Sequence, residues 1–366
     1  MQNQVLPRTP SQTKNHSEHT ERETKMAEAK RCLMCKKQMI DHYGICPACT
    51  EFNEKMRNLT RDLTGKTAVV TGGRINIGYA VCMRLLRQHA NVIAVTRYPN
   101  VALQNYMKEP DYSEFRDRLH IIGFDLTYVN RMDELLAEIA KISGGKIDIL
   151  INNAAQTVRK SNEYYAALER KDNQLRSEQS GYQLICIKDD KQFPVLASMS
   201  PVEYGETSDD NSWVRKPADI STREMVEVQL INVTAPFILT TRIADTMMQH
   251  DPDEKKFIIN VSSVEGKFMD KPARHLHTNM AKASLNMMTL TLANLYKTQN
   301  IYIYASDPGW VSNQFPPDHS FSKSFKAYLT LEDGAARVLY PIQSNIVKSK
   351  IKNAGSFYKD YKIISY

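Results

Sequence analysis

Apolar residues in this chain fall into short continuous runs, separated by stretches where they recur at helical spacing. Runs at 68–70, 91–96, 119–124, 147–151, 257–261 and 301–305 are three to six residues long, and rich in Val, Ile, Leu and Tyr. Continuous rather than alternating apolarity predicts strands covered on both faces. Residues 79–89, 132–142, 221–249 and 331–339 carry the 3.6-residue period and predict helices, and 355–358 predicts a last strand. Ser221 with Glu224 three residues on predicts a capping box at the start of one long helix over 221–249. Strand and helix alternating in this way predict an α/β fold with a doubly wound parallel sheet.

Three regions break the rhythm. Residues 1–25 are polar and cannot bury enough surface to offset ordering, which predicts a disordered tail without the apolar core of a secretory signal. Residues 26–62 hold Cys32, Cys35, Cys46 and Cys49, two C-x-x-C pairs, followed by a helix predicted over 51–63. Paired knuckles at this spacing predict one tetrahedral, structural zinc ion held by four thiolates. Disulfides are the alternative, disfavoured in a reducing compartment. Lys30, Arg31, Lys36 and Lys37 flank the module, but no aromatic residues interleave with them. A structural cap or protein-contact module is therefore expected, not nucleic-acid binding. Residues 63–366 form the α/β domain, interrupted at 156–218 by a long polar stretch with several aromatics, read either as a lid on the substrate side or as a surface elaboration.

Composition changes little. A net charge of +7 over 366 residues is scattered, with no basic stripe, and no apolar stretch is long enough to span a bilayer. Cys82 and Cys186 are isolated, and Cys82 sits on the apolar face of the first helix.

The chemistry concentrates in the turn Thr71-Gly72-Gly73-Arg74-Ile75-Asn76-Ile77-Gly78 between the first strand and the first helix. Gly72 permits a tight turn and Gly78 close helix–strand packing, while the exposed N–H groups at the helix start favour a pyrophosphate. This turn resembles the T-G-x-x-x-G-x-G of the short-chain dehydrogenase/reductase family, with Asn76 at the middle glycine. Asparagine enters the left-handed region more readily than most residues, so the turn survives. Arg97 follows the second strand where an acid would select NAD. Arg97 and Arg74 together predict NADP over NAD.

The resemblance continues through the chain in order. It implies that Asp125 and Leu126 line the adenine site, and that Asn152-Asn153-Ala154-Ala155 stands for the family's N-N-A-G beside the cofactor. It implies that Asn232, in an N-x-x-x-P setting with Pro236, is the active-site asparagine. Ser262 and Ser263 then supply a hydroxyl to the substrate carbonyl, and Pro308 and Gly309 form the segment against the nicotinamide. The catalytic Y-x-x-x-K departs, because it reads Thr278-Asn-Met-Ala-Lys282. Lys282 is expected to bind the nicotinamide ribose and to be indispensable. Threonine is a far weaker acid than tyrosine, so His277 beside it is expected as proton donor, with a water ordered by Asn232 and Ser263 as the second choice. The expectation is a cytoplasmic, homo-oligomeric, NADP-dependent oxidoreductase acting on a small carbonyl or alcohol. The rival is a catalytically silent dinucleotide-binding protein that contacts partners.

Overall fold

The computed structural model describes residues 31–37, 44–176, 184–187, 194–324 and 327–366. The tail expected over 1–25 lies outside the described residues.

The elements run α1 (Pro47–Arg57), β1 (Thr67–Thr71), α2 (Asn76–Arg87), β2 (Asn91–Thr96), α3 (Pro99–Tyr106), β3 (Leu119–Gly123), α4 (Met132–Ser143) and β4 (Ile149–Asn152). They continue through α5 (Asn162–Arg176), β5 (Leu184–Cys186), α6 (Thr222–Gln229), a π-helical turn (Leu230–Thr234), α7 (Ala235–Met248) and β6 (Lys256–Val261). Last come α8 (Leu276–Tyr296), β7 (Ile301–Asp307), α9 (Leu331–Asn345), β8 (Phe357–Lys359) and β9 (Lys362–Ile364).

The strands form one sheet in the order β5-β3-β2-β1-β4-β6-β7-β8-β9. Every pairing is parallel except β8 with β9. β1, β4, β6 and β7 are buried along their whole length, as their unbroken apolar runs require. One core layer packs Val81, Leu85, Val338 and Leu339 of α2 and α9 on one face. The other packs Leu135, Ile139, Leu239, Ile243 and Ala293 of α4, α7 and α8 on the opposite face. The chain reverses its winding between β1 and β4, and a crevice opens at the carboxyl ends of those strands, where such sheets bind ligands.

The centre of the sheet is tied by side-chain amides. Asn152 Nδ2 donates to Asn260 Oδ1 (2.8 Å) and Thr240 Oγ1 (2.9 Å), and Asn260 Nδ2 donates to Thr289 Oγ1 (2.8 Å). These groups are all buried, so the ladder links β4 and β6 to the helices on one face without leaving its donors unmet.

Three local features add to or depart from expectation. The helix expected over 221–249 is present as one run, α over Thr222–Gln229, π over Leu230–Thr234 and α over Ala235–Met248. Pro236 has no N–H to give the Asn232 carbonyl one turn earlier, and the chain takes a π turn in which the Ala235 N–H reaches Leu230 O. The capping box is only half made. Ser221 accepts from the Glu224 N–H, but Ser221 donates its own N–H to Tyr204 Oη (2.7 Å), and the Glu224 carboxylate turns inward to Ser212. The stretch 156–218 carries, in its described parts, α5 and also β5, which extends the sheet beside β3. Asp172 of α5 accepts from the N–H groups of Asn100 and Val101, which fastens that helix to α3.

Candidate functional site

The glycine turn folds as its residue types require. Gly72 has φ +77° and Asn76 φ +55°, the left-handed region that glycine and asparagine tolerate best. A Cβ on Gly78 would stand 2.2 Å from Gly72 O and 2.3 Å from Asn153 Nδ2, so only glycine fits there. Thr71 Oγ1 accepts from the N–H groups of Asn153 and Ala154, each at 3.0 Å, and Asn153 Nδ2 donates to Thr71 O (2.9 Å). The turn after β1 and the segment after β4 are thereby one rigid wall.

Along that wall runs a groove of about 500 Å³. Gly72, Arg74, Asn76, Ile77, Gly78, Arg97, Asp125, Leu126, Asn153 and Ala154 all line it. Thr71 stands behind the lining, as the hydrogen-bonding post just described. At the far end Arg74 and Arg97 lie over the Tyr98 ring at 5.4 and 5.6 Å, and Arg97 also lies over Tyr165 at 5.0 Å. Arg97 pairs with the Asp125 carboxylate at 4.0 Å. Two guanidinium groups therefore converge on one aromatic plate at the groove mouth.

A second cavity of about 220 Å³ opens beside the first, sharing Ile77, Asn153, Ala155 and Thr157 with it. Ser262, Ser263, Thr278, Lys282, Pro308 and Gly309 line it. Thr278 and Lys282, four residues apart, share one face of α8. Lys282 Nζ donates to Val261 O (2.7 Å), and burial pushes its ammonium down to about 8 against the opposing pull of Glu265 and Asp307. Thr278 Oγ1 is buried without a hydrogen-bond partner among the described residues. Ser262 Oγ donates to Asn286 Oδ1 (2.6 Å), so of the two serines Ser263 has the uncommitted hydroxyl.

Asn232 is wholly buried. Its Oδ1 accepts from Gln156 N (2.8 Å) and its Nδ2 donates to Gln156 O (2.9 Å), clamping the segment that floors both cavities. The expected donor, His277, lines neither cavity. One residue before Thr278, it is rotated about 100° around the helix. It points to buried Glu224, with Nε2 4.0 Å from Oε1.

Sequence reasoning missed several neighbours. Asp307 accepts from Gly309 N (2.7 Å), Val264 N (3.2 Å) and Lys359 Nζ (2.9 Å), bracing the loops after β6 and β7. A Cβ on Gly266 would stand 2.5 Å from the carbonyl carbon of Lys282. Trp213, Trp310, Phe315 and Phe321 line the second cavity. The Asp-Pro-Gly at the end of β7 was a readable signal for the first. Nothing local marks the aromatics.

Across the molecule, Cys32, Cys35, Cys46 and Cys49 bring their sulfurs within 4.8 Å of one another. A tetrahedral zinc site with Zn–S near about 2.3 Å has S···S edges of about 3.8 Å. Cys35 and Cys46 already stand 4.0 Å apart, and Cys32 Sγ accepts from the backbone N–H of Cys46 (3.3 Å). The four sulfurs fit such an ion.

The sequence profile of the short chain dehydrogenases matches residues 66–174 and 211–318. The chain belongs to the short-chain dehydrogenase family. Between the two matched blocks lie residues 175–210, whose described part includes β5 at the edge of this short-chain dehydrogenase's sheet. It is 31% identical over 346 residues to an uncharacterised protein of Acanthamoeba polyphaga mimivirus, covering 87% of this chain and 72% of that one. It is 26% identical over 254 residues to glucose 1-dehydrogenase 2 of Bacillus subtilis, covering 69% and 75%. Among solved structures it resembles the NADPH-bound carbonyl reductase from chicken fatty liver, with TM-score 0.57, 18% identity and coverage of 85% and 98%. It also resembles a short chain dehydrogenase from Burkholderia cenocepacia in complex with NADP, with TM-score 0.53, 18% identity and coverage of 77% and 92%. As a short-chain dehydrogenase it carries the family's Rossmann-like sheet, and no helix among the described residues is long and apolar enough to cross a membrane.

Proposed function

We propose that this short-chain dehydrogenase is an NADP-dependent oxidoreductase that interconverts a small carbonyl compound and its alcohol. The observation that carries the cofactor choice is the pair Arg74 and Arg97 over Tyr98 at the groove mouth, a site for the 2′-phosphate that NAD lacks. Gly72, Asn76, Ile77 and Gly78 would hold the pyrophosphate at the start of α2. Asp125 and Leu126 would flank the adenine, Asn153 and Ala154 the ribose, and Pro308 and Gly309 the nicotinamide. When bound, the reduced nicotinamide supplies the hydride.

The chain's own task is then to hold the carbonyl and furnish a proton. Their place in the second cavity supports Lys282, Thr278 and Ser263 for this task over His277, which lies outside it. A buried ammonium lowered to about 8 is protonated at neutral pH yet gives up its proton far more readily than a free lysine. Ser263 and Thr278 would hold the carbonyl oxygen, and one hydroxyl would pass it the proton. Ser262 and Asn232 act from behind, on Asn286 and Gln156. Glu224 and His277 position α6 against α8.

The four cysteines would hold one structural zinc ion, with no open position for chemistry. Four clustered cysteines that form no disulfide with one another suit a reducing, cytoplasmic setting. Homo-oligomerisation through α7 and α8 is supported by exposed Phe237, Met280 and Met287 on those helices.

The test is a pair of titrations with NADPH and NADH, followed by a reduction screen over aldehydes and ketones. NADPH should bind more tightly, and Arg97→Ala should remove most of the difference. Equal affinity for both cofactors in wild type would defeat the cofactor choice. Tight NADPH binding with no turnover across the screen would favour the silent binder, which the missing tyrosine at Thr278 keeps as the second reading.

A further inference from the structure

The second cavity is walled by aromatic rings that cofactor binding does not require. Trp213 stands edge-on to Phe315 (6.4 Å, 73°), Phe315 contacts Phe321 (4.9 Å), and Phe321 meets Trp310 edge-on (6.3 Å, 89°). The train is braced from behind. The His275 ring stacks on Trp213 at 4.0 Å and 7°, and Arg274 lies over Phe315 at 6.0 Å. His275 also holds the left-handed backbone (φ +41°) that starts α8, so Trp213 is fixed to the same helix that carries Thr278 and Lys282.

The polar complement is small. The ionisable residues lining the cavity are Glu265, Lys282 and Asp307. Lys282 is committed to Val261 O, and Asp307 to Lys359 and two backbone N–H groups. Among the described residues no arginine lines the cavity, and Glu265 would repel an anion. Two buried polar atoms among the lining residues, Trp213 Nε1 and Thr278 Oγ1, have no hydrogen-bond partner among the described residues. Each can donate to an oxygen brought in by a ligand. A volume of about 220 Å³ lies below the usual range for drug-sized ligands, and with the nicotinamide against Pro308 and Gly309 it leaves room for about one further ring.

We propose that the substrate is a small, uncharged ketone or aldehyde with a planar ring next to the carbonyl, or the matching alcohol, and that Trp213 is the residue that selects it. This rests on the oxidoreductase reading above. In the reducing direction the carbonyl carbon gains a hydride from the reduced nicotinamide, which is thereby oxidised, and the carbonyl oxygen gains a proton from the Lys282 side. In the other direction the alcohol loses both.

The test needs no turnover. The chain has only two tryptophans, Trp213 and Trp310, and both line this cavity. Acetophenone, cyclohexyl methyl ketone and phenylglyoxylate are titrated into the full chain with its cofactor, read by intrinsic fluorescence with calorimetry as the check. Acetophenone should bind saturably and about tenfold more tightly than its non-planar analogue, the gain expected of one stacked ring, and the anion should not compete. Trp213→Leu should remove the preference and Trp213→Phe should keep it. In turnover the same preference should appear mainly in KM. Equal binding of the planar and saturated ketones, preference for the anion, or no binding of any of the three would overturn the proposal. Ring-selective binding without NADPH oxidation would instead uphold the ligand class and the role of Trp213 while overturning the oxidoreductase reading. Turnover of aliphatic ketones without ring preference would do the reverse.

Discussion

Burial lowers the Lys282 ammonium to about 8, and the reaction should register it. Below that pH the side chain carries the proton that reduction consumes, and above it the proton is gone. Carbonyl reduction should therefore hold level through neutrality and fall along an alkaline limb with its midpoint near 8. A rate that stays flat to about pH 10, where a free lysine titrates, would remove Lys282 from the proton path. Lys282→Arg keeps the charge but cannot release it, so turnover should drop by about 10²–10⁴ while NADPH still binds. Folding responds with the opposite preference. The unfolded chain holds this proton more tightly than the folded one, so stability should rise between about pH 8 and 10.5. At this scale the sequence was legible where a motif fixes a residue by spacing. Thr278 and Lys282 share the cavity because four positions make one helical turn. It was illegible for His277, whose turn toward Glu224 depends on α6, fifty residues upstream and packed from the other side.

Among the elements, the helix widened into a π turn at Leu230–Thr234 invites the most direct experiment. Pro236→Ala would return the missing N–H and remove the cause of the π turn. We expect unfolding free energy in urea to change by no more than about 1 kcal/mol, with a larger loss in kcat, because Asn232 would swing away from Gln156. An unchanged kcat would mean that the bulge has no part in placing Asn232. The strands and helices of the sheet were readable from period alone, since burial on both faces leaves an unbroken apolar run. The π turn left only Pro236 as a trace. β5 left less. Its three residues, Leu184–Cys186, owe their extended form to β3 beside them, and a pairing across sixty residues writes no local pattern.

Over the whole molecule, the cysteine cluster is joined to the end of the chain. Asn53 of α1 accepts from Arg337 Nη1 (2.7 Å) and from Tyr361 Oη (3.3 Å), Arg57 pairs with Asp333 (2.7 Å), and Arg337 reaches Asp360 (3.2 Å). Asp360 and Tyr361 form the two-residue turn between β8 and β9, both at positive φ, and Lys359 beside them holds Asp307. Stripping the expected zinc with a chelator should lower the melting temperature by several degrees and expose the cysteines to alkylation. An identical melting curve with and without metal would show that the module adds nothing to the fold. Paired knuckles made the cluster readable, but nothing in them named α9 and the terminal hairpin as its seat. That seat has a consequence for biosynthesis. The groups that receive Asn53 are Arg337 and Tyr361, so on the ribosome α1 must wait, undocked, while almost three hundred further residues are made. The first helix among the described residues is thus among the last to find its place, and a ribosome-stalled chain ending before Arg337 should leave α1 open to protease.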